Sequence, residues 1–340
     1  MCVAKRRIAT VYLLYGRRPL HHRKRMKFTH REIERAGRLL DVLTDEDHGL
    51  RIIVSRLGAE LVSLVRRNGQ GNWIGFLHRD NDLSKPVRGW ANHATVMGYF
   101  LHRLKDDRSL YRGQEIRGGT HGFLRHKLFS DVCVDLGAGE EANLTYRISP
   151  DQIAPQEYPL KVSLALTYGL RGETLRVEFR FENHEPELTA HLEFGLHPGF
   201  AATSFDSFQL EMPAGRYRRW FSPGNYLTGE TEEIIHAGGE MPFDRAQLRG
   251  SFILEFLEVP NRILTYRDPS SGRRVVLDFS RVPYFTLWSD GDPFLCVEPC
   301  WGLTDRHEQR AFEDKDGIQM IAPGGELIAG FTIRPLLDAS

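Results

Sequence analysis

From about residue 50 onward, apolar and polar side chains alternate with a period of two. Leu175, Val177, Phe179 and Phe181 are interleaved with Arg176, Glu178, Arg180 and Glu182, the pattern of a strand with one buried face. Leu160, Val162, Leu164 and Leu166 alternate in the same way with Lys161, Ser163, Ala165 and Thr167. The stretch between them, Gly169-Leu170-Arg171-Gly172-Glu173-Thr174, suits an antiparallel hairpin. Short apolar runs recur at 51–56, 59–65, 252–256, 262–266, 274–279, 294–297 and 326–333. Turn residues punctuate them, as in Asn68-Gly69, Asp268-Pro269-Ser270-Ser271-Gly272, Asp290-Gly291-Asp292-Pro293 and Pro323-Gly324-Gly325. A helical period is found only around 31–43, through Ile33, Leu39, Leu40 and Val42. The regular exchange of strands and helices that marks a parallel α/β sheet is missing. The pattern predicts an all-β protein, one large antiparallel β-sandwich over 45–337, with no composition break or internal repeat to divide it.

Length adds little to this, because 340 residues suit either two ordinary domains or one large all-β unit. Charge adds more. Lys and Arg total 45 and Asp and Glu total 45, so the net charge is zero, yet residues 1–40 carry +10 and the other 300 carry −10. An acidic body is a poor polyanion binder, since nucleic-acid affinity rests on Lys and Arg neutralising phosphates. No nucleic-acid partner is therefore expected, and a neutral small molecule is the better substrate. The apolar patch Ile8–Tyr15 is far shorter than the ~20 residues that cross a bilayer, and no other run approaches that length. No membrane association is expected. Residues 1–44 read as a basic extension, poorly ordered or partly helical, ahead of the 45–337 sandwich.

The four cysteines, Cys2, Cys133, Cys296 and Cys300, are too few and too irregularly spaced for a disulfide framework. Reduced thiols in a cytoplasmic monomer or homodimer are expected. Neither a dinucleotide-binding nor a phosphate-cradling glycine motif is present, so no cofactor is expected.

Candidate chemistry gathers in three segments: Gly118-Gly119-Thr120-His121-Gly122-Phe123-Leu124-Arg125-His126, Phe194-Gly195-Leu196-His197-Pro198-Gly199-Phe200, and Phe294-Leu295-Cys296-Val297-Glu298-Pro299-Cys300-Trp301-Gly302. Each sets a titratable residue beside Gly or Pro at the end of an apolar run, where a rigid scaffold can aim it from a rim. Their His-Gly, His-Pro and Val-Glu-Pro pairs stand in the order and spacing of the aldose 1-epimerases, or galactose mutarotases. The segment Met97-Gly98-Tyr99-Phe100-Leu101-His102-Arg103-Leu104 is similar to that family's Arg-bearing stretch. Trp288-Ser289 and the residues after Glu298 resemble its less-characterised bacterial branch. The resemblance spans about 45–337 and implies a galactose mutarotase-like supersandwich acting on a small-molecule sugar.

Opening a sugar ring to exchange α and β anomers needs a base for the C1 hydroxyl proton and an acid for the ring oxygen. A carboxylate and a His suit those tasks near neutral pH. By resemblance Glu298 is the base and His197 the acid, while His121 and Arg103 hold sugar hydroxyls. Arg125, Trp288 and Trp301 join the candidates by proximity to the motifs, aromatic faces suiting the apolar side of a pyranose. His126, His191 and His78 read as ordinary structural histidines. A zinc site from His121, His197 and Glu298 is formally possible, but the chemistry needs no metal and none is expected.

One departure leaves alternatives open. The family's sugar-binding Asp has no clear counterpart, Gly250-Ser251-Phe252 standing in its place with Asp244 nearby. A non-catalytic sugar-binding or sensing protein therefore remains a rival. So does a hexose-6-phosphate epimerase, with Arg103 and Arg125 as its basic cluster. A glycoside-processing enzyme would need a second carboxylate about 5–9.5 Å from the first, with Asp305 the candidate.

Overall fold

A computed structural model describes residues 27–338 apart from Ala138 and Phe243. The chain forms 24 strands and six short 3-10 turns among the described residues, and every pairing between named strands is antiparallel. Two large sheets dominate. One has nine strands, with Thr174–Asn183 between Val162–Arg171 and Glu326–Leu337 near its centre. The other has eight, with Phe294–Trp301 between Tyr284–Trp288 and Ala190–Ala201, and with Ala94–Tyr99 also paired to Ala190–Ala201. The sandwich read from the period-two pattern is present.

The inner faces of the two sheets meet in an aromatic core. Phe179 and Phe181 of the nine-stranded sheet pack against Phe194 of the other, at ring-centroid distances of 5.1 and 4.7 Å. Phe200 meets Tyr266 at 5.6 Å, again across the sandwich. Such pairs contribute about 0.5–1.5 kcal/mol each beyond the area they bury. The 169–174 segment is the expected hairpin. Its strands run on to Arg171 and Thr174, leaving Gly172-Glu173 as a two-residue turn.

The reading of 31–43 as helical is corrected. Phe28–Arg35 and Arg38–Asp45 form a β-hairpin that continues through Leu50–Ser55 and Glu60–Arg67 into a five-stranded sheet. Residues seven apart share a helix face, but they also face one another across a tight hairpin, and Ile33 pairs with Leu40. Ala36 and Gly37 make the turn with positive φ of 52° and 70°. The body therefore begins before residue 45, while residues 1–26 of the expected extension lie outside the described residues.

Buried Asp41 ties this third sheet to the sandwich. Its carboxylate accepts from His30 at 2.9 Å, from Arg56 at 2.9 and 3.0 Å, and from the hydroxyl of Tyr146 in the nine-stranded sheet at 3.1 Å. Burial by itself would raise the Asp41 pKa, but the hydrogen bonds from Arg56 and His30 overrule it and hold it below the ordinary carboxylate value.

Candidate active site

The centre of the eight-stranded sheet carries the candidate chemistry. Its register sets Gly195 opposite Cys300 and Gly199 opposite Cys296, so His197 stands across from Glu298. On the outer sides Thr286 is paired with Glu298, and Thr95 with His197. Thr286, Glu298, His197 and Thr95 thus form one rung on one face of four adjacent strands. Trp288, Cys296 and Gly199 form the next rung on that face.

Pro198 and Pro299 each follow one of the pair and lack the N–H that a ladder needs. The ladder accordingly opens between the Gly195–Cys300 and Gly199–Cys296 pairs, where His197 and Glu298 sit. The two residues lie in the middle of their strands, on a sheet face. The expectation that they emerge at strand ends onto a rim is corrected, because the prolines interrupt hydrogen bonding without ending either strand.

Glu298 is 1% exposed and lies between two imidazoles. Oε1 is 3.3 Å from Nε2 of His197, and Oε2 is 3.2 Å from Nε2 of His102. A buried carboxylate survives only when paired or hydrogen-bonded, and these two rings supply that. His121 meets His197 edge-to-face at 4.9 Å and His102 at 5.8 Å. The His121 loop is seated by backbone contacts: its N–H donates to the His102 carbonyl at 2.7 Å, and Gly98 N–H donates to the His121 carbonyl at 3.2 Å. Gly122 is required beside it, since its φ is +73° and a Cβ there would run into the Gly98 carbonyl.

Burial lowers the pKa of His121 well below the usual imidazole value, and the neighbouring His197, His102, Arg125 and Arg103 push the same way. Burial also lowers His197, with Glu298 pulling in the opposite direction. Nδ1 of each ring is buried without a hydrogen-bond partner among the described residues, as is the Thr95 hydroxyl. Unsatisfied buried polar atoms are rare, and these three belong to residues on or beside the His197–Glu298 rung.

An aromatic wall completes the site. Trp90 stacks on His197 at 4.9 Å and meets Trp288 edge-on at 5.9 Å, and Trp288 is 5.6 Å from His197. The backbone N–H of Trp90 donates to the Asp290 carboxylate at 2.9 Å, which anchors the main chain that carries the indole. Gly199 makes room for it, because a Cβ there would approach the indole to 2.5 Å. Both tryptophans are half-buried around the buried Glu298.

Of the residues expected from the sequence, Glu298, His197, His121 and Trp288 are brought together. Arg103 and Arg125 are half-buried at the periphery, near enough to disfavour protonation of His121. Arg103 donates to Thr120 Oγ1 at 3.2 Å, and neither guanidinium has an ion-pair partner among the described residues. Trp301 is a correction. The period of two that aims Glu298 one way aims Trp301 the other, and it stacks on Phe194 at 5.0 Å inside the sandwich. Its Nε1 donates to the Arg281 carbonyl at 3.2 Å, so it is core and not a sugar platform.

Asp244 caps the 3-10 turn Arg245–Gly250, accepting from Ala246 N–H at 2.9 Å. Asp305 is also committed, to Lys315 at 2.5 Å and to Lys105 N–H and Gln309 at 2.8 Å each, which leaves no second carboxylate there for glycoside cleavage. His126 is exposed, and His191 bonds the Tyr111 hydroxyl. Sequence reasoning missed His102, Trp90 and Thr95. His102 adjoins Arg103 in a segment already singled out, and Trp90 lies in an irregular stretch with no periodic signal.

The molecule is thus an antiparallel sandwich with a buried carboxylate held between imidazoles beside an aromatic wall. The sequence pattern of the aldose 1-epimerase family matches residues 41–327, and the chain belongs to that family. Among curated proteins it is 26% identical over 290 residues to plasmid-borne protein LacX of Lactococcus lactis subsp. lactis, covering 81% of this chain and 92% of that one. A galactose mutarotase related enzyme from Lactobacillus acidophilus superposes with a TM-score of 0.73 at 22% identity, covering 91% of this chain and 97% of that one. A galactose mutarotase-like protein from Lactobacillus casei superposes at 0.72, with 22% identity and coverages of 91% and 100%. These structures share its fold.

Proposed function

We propose that the protein is an aldose 1-epimerase, interconverting the α and β anomers of a free aldose by ring opening and reclosure. The observation that carries this reading is the buried Glu298 carboxylate held between His197 and His102 at 3.3 and 3.2 Å. Glu298 takes the C1 hydroxyl proton while His197 gives its own to the ring oxygen, so the C1–O5 bond breaks and an aldehyde forms. After rotation about C1–C2 the two groups exchange roles, and the ring closes on the opposite face. Burial makes protonated His197 a stronger acid than a free histidine. His102 orients the carboxylate from its other oxygen. Trp90 and Trp288 offer ring faces to the apolar side of the sugar, and His121, Arg103 and Arg125 offer polar groups to its hydroxyls.

A hexose 6-phosphate is a second substrate reading, supported by the two half-buried guanidiniums of Arg103 and Arg125 that pair with no carboxylate among the described residues. Proton NMR of anomer exchange on freshly dissolved glucose, galactose, xylose and glucose 6-phosphate tests both. Faster equilibration of one sugar is expected, reduced about 10²–10⁴-fold by Glu298→Gln, the range that a positioned proton-transfer group supplies. Sugar binding without acceleration of any of them would replace the enzyme by a carbohydrate-sensing protein.

A further inference from the structure

Glu298 shares its strand face with two thiols. Alternation along Phe294–Trp301 sets Cys296 and Cys300 on either side of it, both buried. Nε2 of His102 is 4.0 Å from Sγ of Cys300 and 3.2 Å from Oε2 of Glu298. The ligand atoms of His102, Glu298 and Cys300 all lie within 4.8 Å of one another. A tetrahedral zinc ion, with Zn–N of about 2.0–2.1 Å and Zn–S of about 2.3 Å, separates N from S by about 3.5 Å and N from O by about 3.3 Å. The His102–Glu298 separation is already close to that geometry, and the His102–Cys300 separation is about half an ångström longer than it, so side-chain adjustment within the triad would close it on an ion. Thr286 Oγ1, 3.9 Å from Cys300 Sγ, stands as an outer partner for the sulfur. A mixed imidazole, carboxylate and thiolate set favours zinc-class ions over magnesium or calcium.

We propose that His102, Glu298 and Cys300 form a binding seat for a zinc-class divalent cation, and that its occupation blocks turnover by engaging the carboxylate. Binding releases the Cys300 thiol proton to solvent and leaves one coordination position for water. The inhibitory consequence rests on Glu298 being the epimerase base; the seat itself does not. His197, Cys296 and Glu298 form a second group of this kind on the other side. The His102 side is assigned because its nitrogen already stands near tetrahedral separations from both the sulfur and the carboxylate oxygen.

The test titrates cobalt(II) chloride into the reduced full-length protein and follows the near-ultraviolet thiolate-to-cobalt charge-transfer band. The band is expected in the wild type and in Cys296→Ser, and is expected to vanish in Cys300→Ser. Zinc chloride added to the anomer-exchange assay should stop the wild type, and a chelator should restore it. Metal-free Cys300→Ser should keep its turnover while needing at least about tenfold more zinc for inhibition, since losing even an outer-shell partner costs about 10–100-fold in affinity. No band, a band that persists in Cys300→Ser, or zinc that leaves wild-type turnover unchanged would overturn the proposal. An intact, Cys300-dependent band in a protein that accelerates no sugar would instead count against the epimerase reading alone.

Discussion

At the scale of single residues, the site works by crowding imidazoles around one carboxylate. The crowding has a cost that pH reveals. His121 and His197 hold protons less tightly in the fold than in the unfolded chain, where imidazole titrates near 6.5. Below that pH the unfolded chain binds more protons, so stability is full above 6.5 and falls as pH drops through the folded values. The slope reaches about 1.4 kcal/mol per pH unit for each such proton. Urea denaturation at pH 7.5 and 5.5 should show a smaller loss for His121→Gln than for the wild type, and equal losses would mean that His121 is not the proton-linked group. Trp90 acts by contact. Trp90→Ala should raise KM several-fold more than it lowers kcat, by removing a stacking face that contributes roughly 0.5–1.5 kcal/mol. A fall in kcat at constant KM would instead give the indole a part in the proton transfer.

At the scale of elements, two buried carboxylates joined by one ammonium hold the segment that carries His102 and Arg103. Glu193 accepts from Leu101 N–H at 3.2 Å and Asp305 from Lys105 N–H at 2.8 Å, so the segment is pinned on both sides of His102. Lys315 bridges them, 3.3 Å from Glu193 and 2.5 Å from Asp305. Burial would lower the Lys315 pKa, but Glu193 and Asp305 overrule it and raise it. Removing the cation leaves buried carboxylates facing one another. Lys315→Met should therefore cost about 3–5 kcal/mol in urea unfolding, and a change below 1 kcal/mol would show that the cluster relaxes without it. The sequence shows none of this, because Glu193 lies in the strand Ala190–Ala201, more than a hundred residues before Asp305 and Lys315, which both sit in irregular segments with no periodic signal.

At the scale of the whole molecule, the sandwich supplies the floor of the site, and the five-stranded sheet packs against its nine-stranded side. Phe28 is buried in the main core, and His30 bonds buried Asp41. Deleting residues up to Arg38 removes both. The loss of Phe28 alone should cost about 1.5–3 kcal/mol, read as a lower urea midpoint; an unchanged midpoint would make the hairpin an appendage after all. The period-two runs between 160 and 183 were legible because each strand keeps one face on the core. The 28–45 hairpin was not, since its apolar spacing fits a helix equally well until the positive-φ turn at Ala36-Gly37 is known.

The sequence by itself determined the all-β class and marked out the short motifs that hold Glu298, His197 and His121, because strand periodicity and short motifs are local properties of the chain. Only the tertiary structure decided which face each residue serves and which strands are neighbours. It turned Trp301 into the core and brought Trp90, Thr95 and His102 to Glu298, from positions about two hundred residues earlier. The physical reason is that strand pairing joins distant segments through backbone hydrogen bonds, which carry no side-chain signature. A site spread over several strands is therefore assembled by register, and a shift of one residue would turn Glu298 from the site into the core.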